Sequence, residues 1–96
     1  TATSAPSDSI TPSASNAWGI IIGWENGGGT KSSGTNTVLR QQSAANQVYI
    51  LDSNGVISGA TTQAFASTAS GEFDYFHLTI AGGVAGGGGA NFLQFF

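Results

Sequence analysis

The sequence predicts an all-β protein: a single antiparallel β-sandwich of about seven strands with no significant helix. In the longest hydrophobic segments apolar residues alternate with a period of two, and no segment shows the 3.6-residue period of an amphipathic helix. β-branched and aromatic residues fill these segments, and turns rich in glycine separate them at intervals of about 8–12 residues. Two layouts fit such a chain, an immunoglobulin-like sandwich and a jelly roll.

The first half of the chain is predicted to contain an extended arm and three strands. Residues 1–9 are rich in Ser, Thr, Ala and Pro and form the arm, and a short strand covers Ser9 to Thr11. The strongest strand is Ala17 to Trp24, and small residues on one of its faces would let a bulky side chain approach closely. Large side chains occupy its other face: Trp18, Ile20, Ile22 and Trp24. Residues 25–35 form a turn-rich loop, and Thr37 to Arg40 forms a short strand near a sheet edge.

The second half is predicted to contain a hairpin and two further strands. Gln47 to Ser58 forms the hairpin, because Asn54-Gly55 supplies the positive φ angles that a tight turn needs. A weak strand at Thr61 to Phe65 and a long, regular strand at Phe73 to Ile80 follow. The long strand joins Trp18 to Trp24 and Val48 to Leu51 at the centre of the fold. We expect these core residues: Ile20, Ile22, Ile50, Phe76 and Leu78.

The end of the chain is its most unusual segment. Within the predicted domain, residues 10–96, a glycine-rich linker over residues 81–90 leads to an aromatic C-terminal strand over residues 91–96. This strand either completes its own sandwich or pairs with a neighbour by strand addition. Four of its side chains are predicted to form an assembly interface: Phe92, Leu93, Phe95 and Phe96. The chain begins at Thr1 without a methionine, which fits a processed chain, a fragment or an absent leader.

Composition restricts the partners. Seven of the 96 residues are charged and the net charge is −3, which argues against nucleic acid and anionic membranes, since both require clustered Lys and Arg. The chain contains no cysteine, so disulfides and thiolate metal sites are excluded. No apolar segment approaches the ~20 residues of a membrane-spanning helix. Such sparse charge favours packing against copies of the chain or another protein, because interface cores are depleted in charge.

No catalytic, cofactor-binding or metal-binding constellation is present, so we predict that the chain is not an enzyme. His77, the one histidine, has no positioned partner in the sequence. Glu72 and Asp74 are two residues apart on one strand face rather than across a cleft. The segment Asp52 to Gly55 lacks the further acidic ligands of a calcium loop. Gly82-Gly83 and the run Gly86 to Gly89 are not followed by the Lys-Ser/Thr pair that a phosphate-binding loop would require.

Three segments within residues 9–84 carry a resemblance to a known class: SITPSASNAWGIIIGWENG, VYILDSNGVISGATTQAF and GEFDYFHLTIAGGV. Together they resemble β-sandwich domains of tailed-bacteriophage virion proteins. In those domains a strand ending in Gly-Trp precedes a loop, a tyrosine-bearing strand, and an aromatic strand that leads to a small-residue turn. The resemblance implies a capsid decoration (cement) or tail-associated role at the virion surface, with no catalytic residues to carry over.

These observations lead to one principal functional hypothesis and two alternatives. The principal hypothesis is a structural virion protein that binds a major capsid or other lattice protein and copies of itself. The first alternative is an extracellular filament or surface-layer subunit that assembles by strand exchange. The second is a small carbohydrate-binding module, with Trp24 and Tyr75 as the aromatics that face the ligand.

Overall fold

A computed structural model describes residues 5–68 and 71–81, and over these residues it confirms the predicted all-β class, with no helix. The seven strands are β1 (Ser7–Ile10), β2 (Ala17–Glu25), β3 (Lys31–Ser33), β4 (Val38–Gln42), β5 (Val48–Asp52), β6 (Thr61–Ser67) and β7 (Phe73–Ala81). They form two sheets, one in the order β1-β6-β3 and one in the order β4-β5-β2-β7, and every pairing is antiparallel. The described residues therefore form the predicted two-sheet, sandwich-like domain.

The topology is related to the immunoglobulin arrangement but exchanges its terminal strands. The pairs β2–β5 and β3–β6 correspond to the B–E and C–F pairs of an immunoglobulin domain. In that domain the first strand pairs with the second and the last with the sixth. Here β1 pairs with β6, and β7 pairs with β2. As predicted, β2 and β5 are central and β4 is an edge strand, whereas β7, predicted to be central, lies at the other edge.

The core between the two sheets is small and aromatic. Its buried apolar cluster is Ile21, Tyr49, Leu51, Phe65 and Phe73. The ring centroids of Tyr49 and Phe65 are 5.0 Å apart, and those of Phe65 and Phe73 are 6.2 Å apart. These tilted and edge-on arrangements are favoured by the quadrupole of aromatic rings. Phe65 of β6 thus joins the three-stranded sheet to the four-stranded one.

The buried face of β2 is the opposite of the predicted one. Ala17, Gly19 and Ile21 point inward, whereas all five expected core residues lie on the outward face. Side chains from other strands fill the space above the glycines, since a Cβ at Gly19 would collide with Gln63 and a Cβ at Gly23 with the Tyr49 hydroxyl. The prediction of a close approach over the small residues is confirmed. The prediction that the larger side chains form the core is wrong.

The chain bends at Asn54-Gly55, where both residues have the predicted positive φ, but the predicted hairpin is absent. Asn54 has a φ of 50° and Gly55 a φ of 153°. Both sides of β5 are already paired, one with β2 and one with β4. The chain therefore does not fold back on β5 but continues along β2, where Ile57 forms a bridge with Ala17.

Some element boundaries also differ from the prediction. β3 lies within residues 25–35, which were predicted as a loop, because its three residues carry no apolar alternation. β1 begins at Ser7, so residues 7–9 of the predicted arm pair with β6. Ala81, the first residue of the predicted linker, is the last residue of β7. The rest of that linker and the aromatic strand over residues 91–96 lie outside the described residues.

Candidate functional site

The candidate site is the outward face of the four-stranded sheet, which no element within residues 5–68 and 71–81 covers. Nine large apolar side chains from β2, β5 and β7 form this face: Trp18, Ile20, Ile22, Trp24, Val48, Ile50, Phe76, Leu78 and Ile80. We call it the outer face. Six of the nine are exposed, from Trp18 at 37% to Phe76 at 74% of the side chain's surface. The other three are half-buried by these neighbours.

Strand register makes these residues one continuous patch. Ile22, at its centre, lies opposite Ile50 of β5 and Phe76 of β7. On either side of this row, Trp24 lies opposite Val48, and Ile20 lies opposite Leu78. Side chains directly opposite one another on one face have Cβ atoms about 4.5–5.5 Å apart and are in contact. The outer face is therefore contiguous rather than a set of scattered exposed residues.

The size of the outer face is that of a functional surface. At about 3.3 Å per residue and about 4.8 Å between strands, its Cα positions span roughly 20 Å by 10 Å. With the widths of the side chains, its projected area is roughly 300 Å², which is comparable to the largest patch on a typical monomer. Patches of this size commonly mark sites that bind another molecule.

Charged groups lie at the ends of the outer face. At the Ile20 end, Arg40 forms a bidentate ion pair with Asp52, in which Nε donates to Oδ2 at 2.8 Å and Nη2 donates to Oδ1 at 3.0 Å. Burial acts to raise the pKa of Asp52, but its hydrogen bonds with Arg40 and the Asn54 amide hold that pKa below its ordinary value. At the opposite end, Asp74 faces Trp24. An apolar centre with a polar rim is the usual anatomy of a protein interface.

A half-buried polar cluster joins β7 to the other sheet. The amide of Gln63 donates through Nε2 to the carbonyls of Gly19 (3.2 Å) and Asn36 (3.0 Å), so its Oε1 accepts from His77 Nε2 at 2.8 Å. Burial lowers the pKa of His77, although the negative charge of Asp8 acts to raise it. His77 thus holds a neutral amide partner rather than a nucleophile or a carboxylate, which is a structural role and not the geometry of a general base.

Tyr75 belongs to the same cluster. Its hydroxyl donates to the Asp8 carboxylate of β1. That hydrogen bond, together with burial, raises the pKa of Tyr75 to about 12. The register sets Asp74 opposite Trp24 and Tyr75 opposite Gly23, so the side chains of Trp24 and Tyr75 lie on opposite faces of the sheet. The two predicted ligand-facing aromatics therefore cannot stack on one sugar ring.

A buried ion pair organises the loop between β2 and β3. Lys31 Nζ lies 2.6 Å from Glu25 Oε1 and also donates to the carbonyls of Gly29 and Asn46. Burial acts to raise the pKa of Glu25, but hydrogen bonds from Lys31 and the Gly29 amide hold it below its ordinary value. The ammonium also lies 5.5 Å from the centroid of the Tyr49 ring. These contacts pair the two charges inside the fold through Glu25 Oε1, while the buried Oε2 has no hydrogen-bond partner among the described residues. The pairing indicates a structural role.

Sequence reasoning missed the outer face as a site because it assigned most of these residues to the core. The alternation that places Ile21 inward also places Glu25 inward, so the correct choice of face would have predicted a buried carboxylate, which needs a partner of opposite charge. The predicted interface residues Phe92, Leu93, Phe95 and Phe96 lie outside the described residues.

The described residues contain no cluster of three or more His, Cys, Asp or Glu placed to hold a metal ion. Over the same ranges, no helix is long and apolar enough to cross a membrane. The chain matches no protein-family model, and comparisons with curated proteins and with solved structures find no match. Functional inference therefore depends on the geometry of the outer face and of the sheet that carries it.

Proposed function

We propose that this chain is a non-enzymatic structural subunit that packs its outer face against other protein in a repeating assembly. One observation carries the proposal: nine large apolar side chains lie on the outer face, whereas the apolar cluster between the sheets has five. A sheet with large apolar residues on both faces is typical of a sheet that is covered on both sides. Only one side is covered by the described residues, so a partner supplies the second cover.

The energy available at this face suits a subunit present in many copies. Full burial of a large apolar side chain contributes about 1.5–3 kcal/mol, and six half-exposed side chains contribute roughly 5–10 kcal/mol in total. Association itself costs about 4–15 kcal/mol in lost translational and rotational freedom. A single contact is therefore weak, whereas repeated contacts within a lattice reinforce one another.

The resemblance to tailed-phage virion domains supports the identity of the assembly. We propose a capsid decoration, cement or tail-associated role at the virion surface, with a major capsid or other lattice protein and copies of the chain as partners. The low charge of the chain supports this role, because surfaces that become interface cores are depleted in charge. An extracellular filament or surface-layer subunit would use the same outer face but would polymerise without a lattice.

The test is a charge placed at the centre of the outer face. Ile22→Lys puts an ammonium between Ile50 and Phe76, where a partner surface would have to bury it. The matched control, Ala66→Lys, adds the same charge at an exposed position on the other sheet. We expect sedimentation velocity to show smaller species for Ile22→Lys than for the wild type, and reduced occupancy on particles. Ala66→Lys should match the wild type.

Two results would overturn this function. One is a wild-type chain that is monomeric from micromolar to millimolar concentration and absent from purified particles. The other is an Ile22→Lys variant that assembles with wild-type size and occupancy.

One observation favours a second candidate, carbohydrate binding. Trp24 and Phe76 are both exposed on the outer face and are diagonal neighbours across β2 and β7. Diagonal side chains lie about 7–8 Å apart, within reach of one sugar ring or two adjacent ones. Titration with glycans should then change the tryptophan fluorescence of the wild type and not of Trp24→Ala. An unchanged wild-type spectrum would exclude this candidate.

A further inference from the structure

β7 lacks most of the protection against further pairing that the other edge strands of the described structure have. β4 is interrupted by a bulge between Leu39 and Gln41 and carries Arg40. β1 has four residues and directly follows Pro6, and β3 has three residues. β7 has nine residues without a bulge, a proline, a lysine or an arginine, and its one carboxylate, Asp74, is the second residue of the strand. Natural sheets protect their edges with short strands, bulges, Pro and charge, so an unprotected edge of this length is a site for strand addition.

The hydrogen-bond pattern identifies the backbone groups at this edge. The Gly19 carbonyl accepts from the Ser53 amide, and the Glu25 amide donates to the Gln47 carbonyl. The backbone amides and carbonyls of the odd-numbered residues of β2 therefore point toward β5. The even-numbered residues of β2 therefore bond to β7, as the Asn26–Glu72 hydrogen bond confirms. Backbone direction alternates along a strand. The backbone amides and carbonyls of the odd-numbered residues of β7 therefore point to the edge that no described strand occupies: Phe73, Tyr75, His77, Thr79 and Ala81.

We propose that β7 pairs antiparallel with β7 of a second copy of this chain, across a two-fold axis at His77. The two four-stranded sheets then merge into one sheet of eight strands. This inference deepens the proposed function, on which it rests, by naming the contact between copies. The register follows from the direction of the backbone groups, because the odd-numbered residues of one β7, whose amides and carbonyls point outward, must lie opposite the odd-numbered residues of the other β7 to form hydrogen bonds. Centring the pair on His77 uses all nine residues of β7 and forms about ten backbone hydrogen bonds.

Charge selects the antiparallel direction. In this register Asp74 lies opposite Ile80 of the second copy, and the two Asp74 carboxylates are about 20 Å apart along the strands. A parallel pairing in register would set like charges beside each other, which is destabilising. The two-fold arrangement therefore avoids repulsion between the charged residues of the two strands.

The side chains of β7 support the same pairing. Phe76, with 74% of its surface exposed, is the most exposed large apolar residue of the described structure. The antiparallel register sets it opposite Leu78 of the second copy, so each copy covers the other's phenylalanine. A hollow of about 660 Å³ lies along this strand, lined by residues of β7 and by Ile22 and Gly23 of β2. In the merged sheet the two outer faces become one continuous surface.

The first experiment is amide hydrogen exchange on the full chain over a range of concentrations. The amides of Phe76 and Leu78 point to β2 and should be protected at every concentration. The amides of Tyr75, His77 and Thr79 should gain protection only as the chain associates. Above the dissociation constant the monomer fraction falls with the square root of concentration, so a hundredfold rise should slow their exchange about tenfold.

Two variants separate this inference from the outer-face proposal. Thr79→Pro removes one edge-pointing amide without removing a bond to β2, and Pro is tolerated at such edge positions. It should abolish the concentration-dependent protection at Tyr75 and His77 while leaving association through the outer face. Ile22→Lys should lose the outer-face contact but keep a dimer in which those amides are protected. Circular dichroism checks that each variant is folded, and if Thr79→Pro is not, wild-type exchange decides alone.

Three results would overturn the inference. One is fast exchange at Tyr75, His77 and Thr79 at all concentrations, which would show that the edge stays open. Another is protection that does not change with concentration, which would show that the edge is covered within a single chain. The third is a folded Thr79→Pro variant that keeps the wild-type protection at Tyr75 and His77. None of these requires the outer-face proposal to fail.

Discussion

Adjacent isoleucines in β2 provide a sharp test of which face of the sheet is the core. Ile21 is 1% exposed and belongs to the buried cluster, whereas Ile22 is 38% exposed on the outer face. An Ile→Ala substitution removes about three methylene equivalents, or roughly 2.4 kcal/mol of transfer free energy. At Ile21 the cavity left behind adds to this loss, so Ile21→Ala should cost about 3–4 kcal/mol. At Ile22 only about three-fifths of the surface is buried and no closed cavity forms, so Ile22→Ala should cost roughly 1.5 kcal/mol.

The assay is urea unfolding of both variants at a concentration low enough for the chain to be monomeric. Equal denaturant slopes would show that a difference in midpoint reports stability alone. Repeating the measurement at high concentration should raise the cost of Ile22→Ala and leave that of Ile21→Ala unchanged, because only Ile22 is buried by association. A monomer in which Ile22→Ala costs as much as Ile21→Ala, or more, would refute the assignment of faces.

Three further predictions concern single positions. Gly55→Val should destabilise the fold by about 1–2 kcal/mol, because Gly55 has a φ of 153° and nothing lies near its Cβ position, so the cost is one of backbone conformation. The control Gly59→Val, at an equally open glycine without a positive φ, should be close to neutral in thermal unfolding. Burial holds the pKa of His77 below its ordinary value of 6.5, so the native state favours the neutral ring, and the stability that depends on it should be full above pH 6.5 and fall as the pH drops below that value. The urea midpoint of the His77→Gln variant should lose this pH dependence. Lys31→Met should cost about 3–5 kcal/mol, because it leaves the Glu25 carboxylate buried without its partner, and in a double-mutant cycle the added Glu25→Gln should recover much of that loss. A Lys31→Met variant that is no less stable than the double variant would contradict a buried ion pair.

The sequence by itself determined the fold class and most of the strands. Alternation with a period of two is a local property of the chain, and it located β2, β5 and β7 to within a residue or two. The bend at Asn54-Gly55 is equally local, because it depends on backbone preferences at two positions. Sparse charge predicts an associating surface, and this stays a prediction. The three-residue β3 carries no local signal and could not be predicted in this way.

Only the tertiary structure decided which face of the sheet is buried. Alternation defines two faces but does not rank them when both carry apolar residues, as β2 does. The ranking depends on volume contributed by distant strands, since Gln63 and Tyr49 fill the space that Gly19 and Gly23 leave open. Ile21 completes the core between those glycines, and Ile22 is left on the outer face. The position of β7 at an edge of the described sheet, with half of its backbone groups pointing away from β2, is likewise a result of strand order and not of its own sequence. Both candidate contact surfaces therefore arise from packing between residues that lie far apart in the chain.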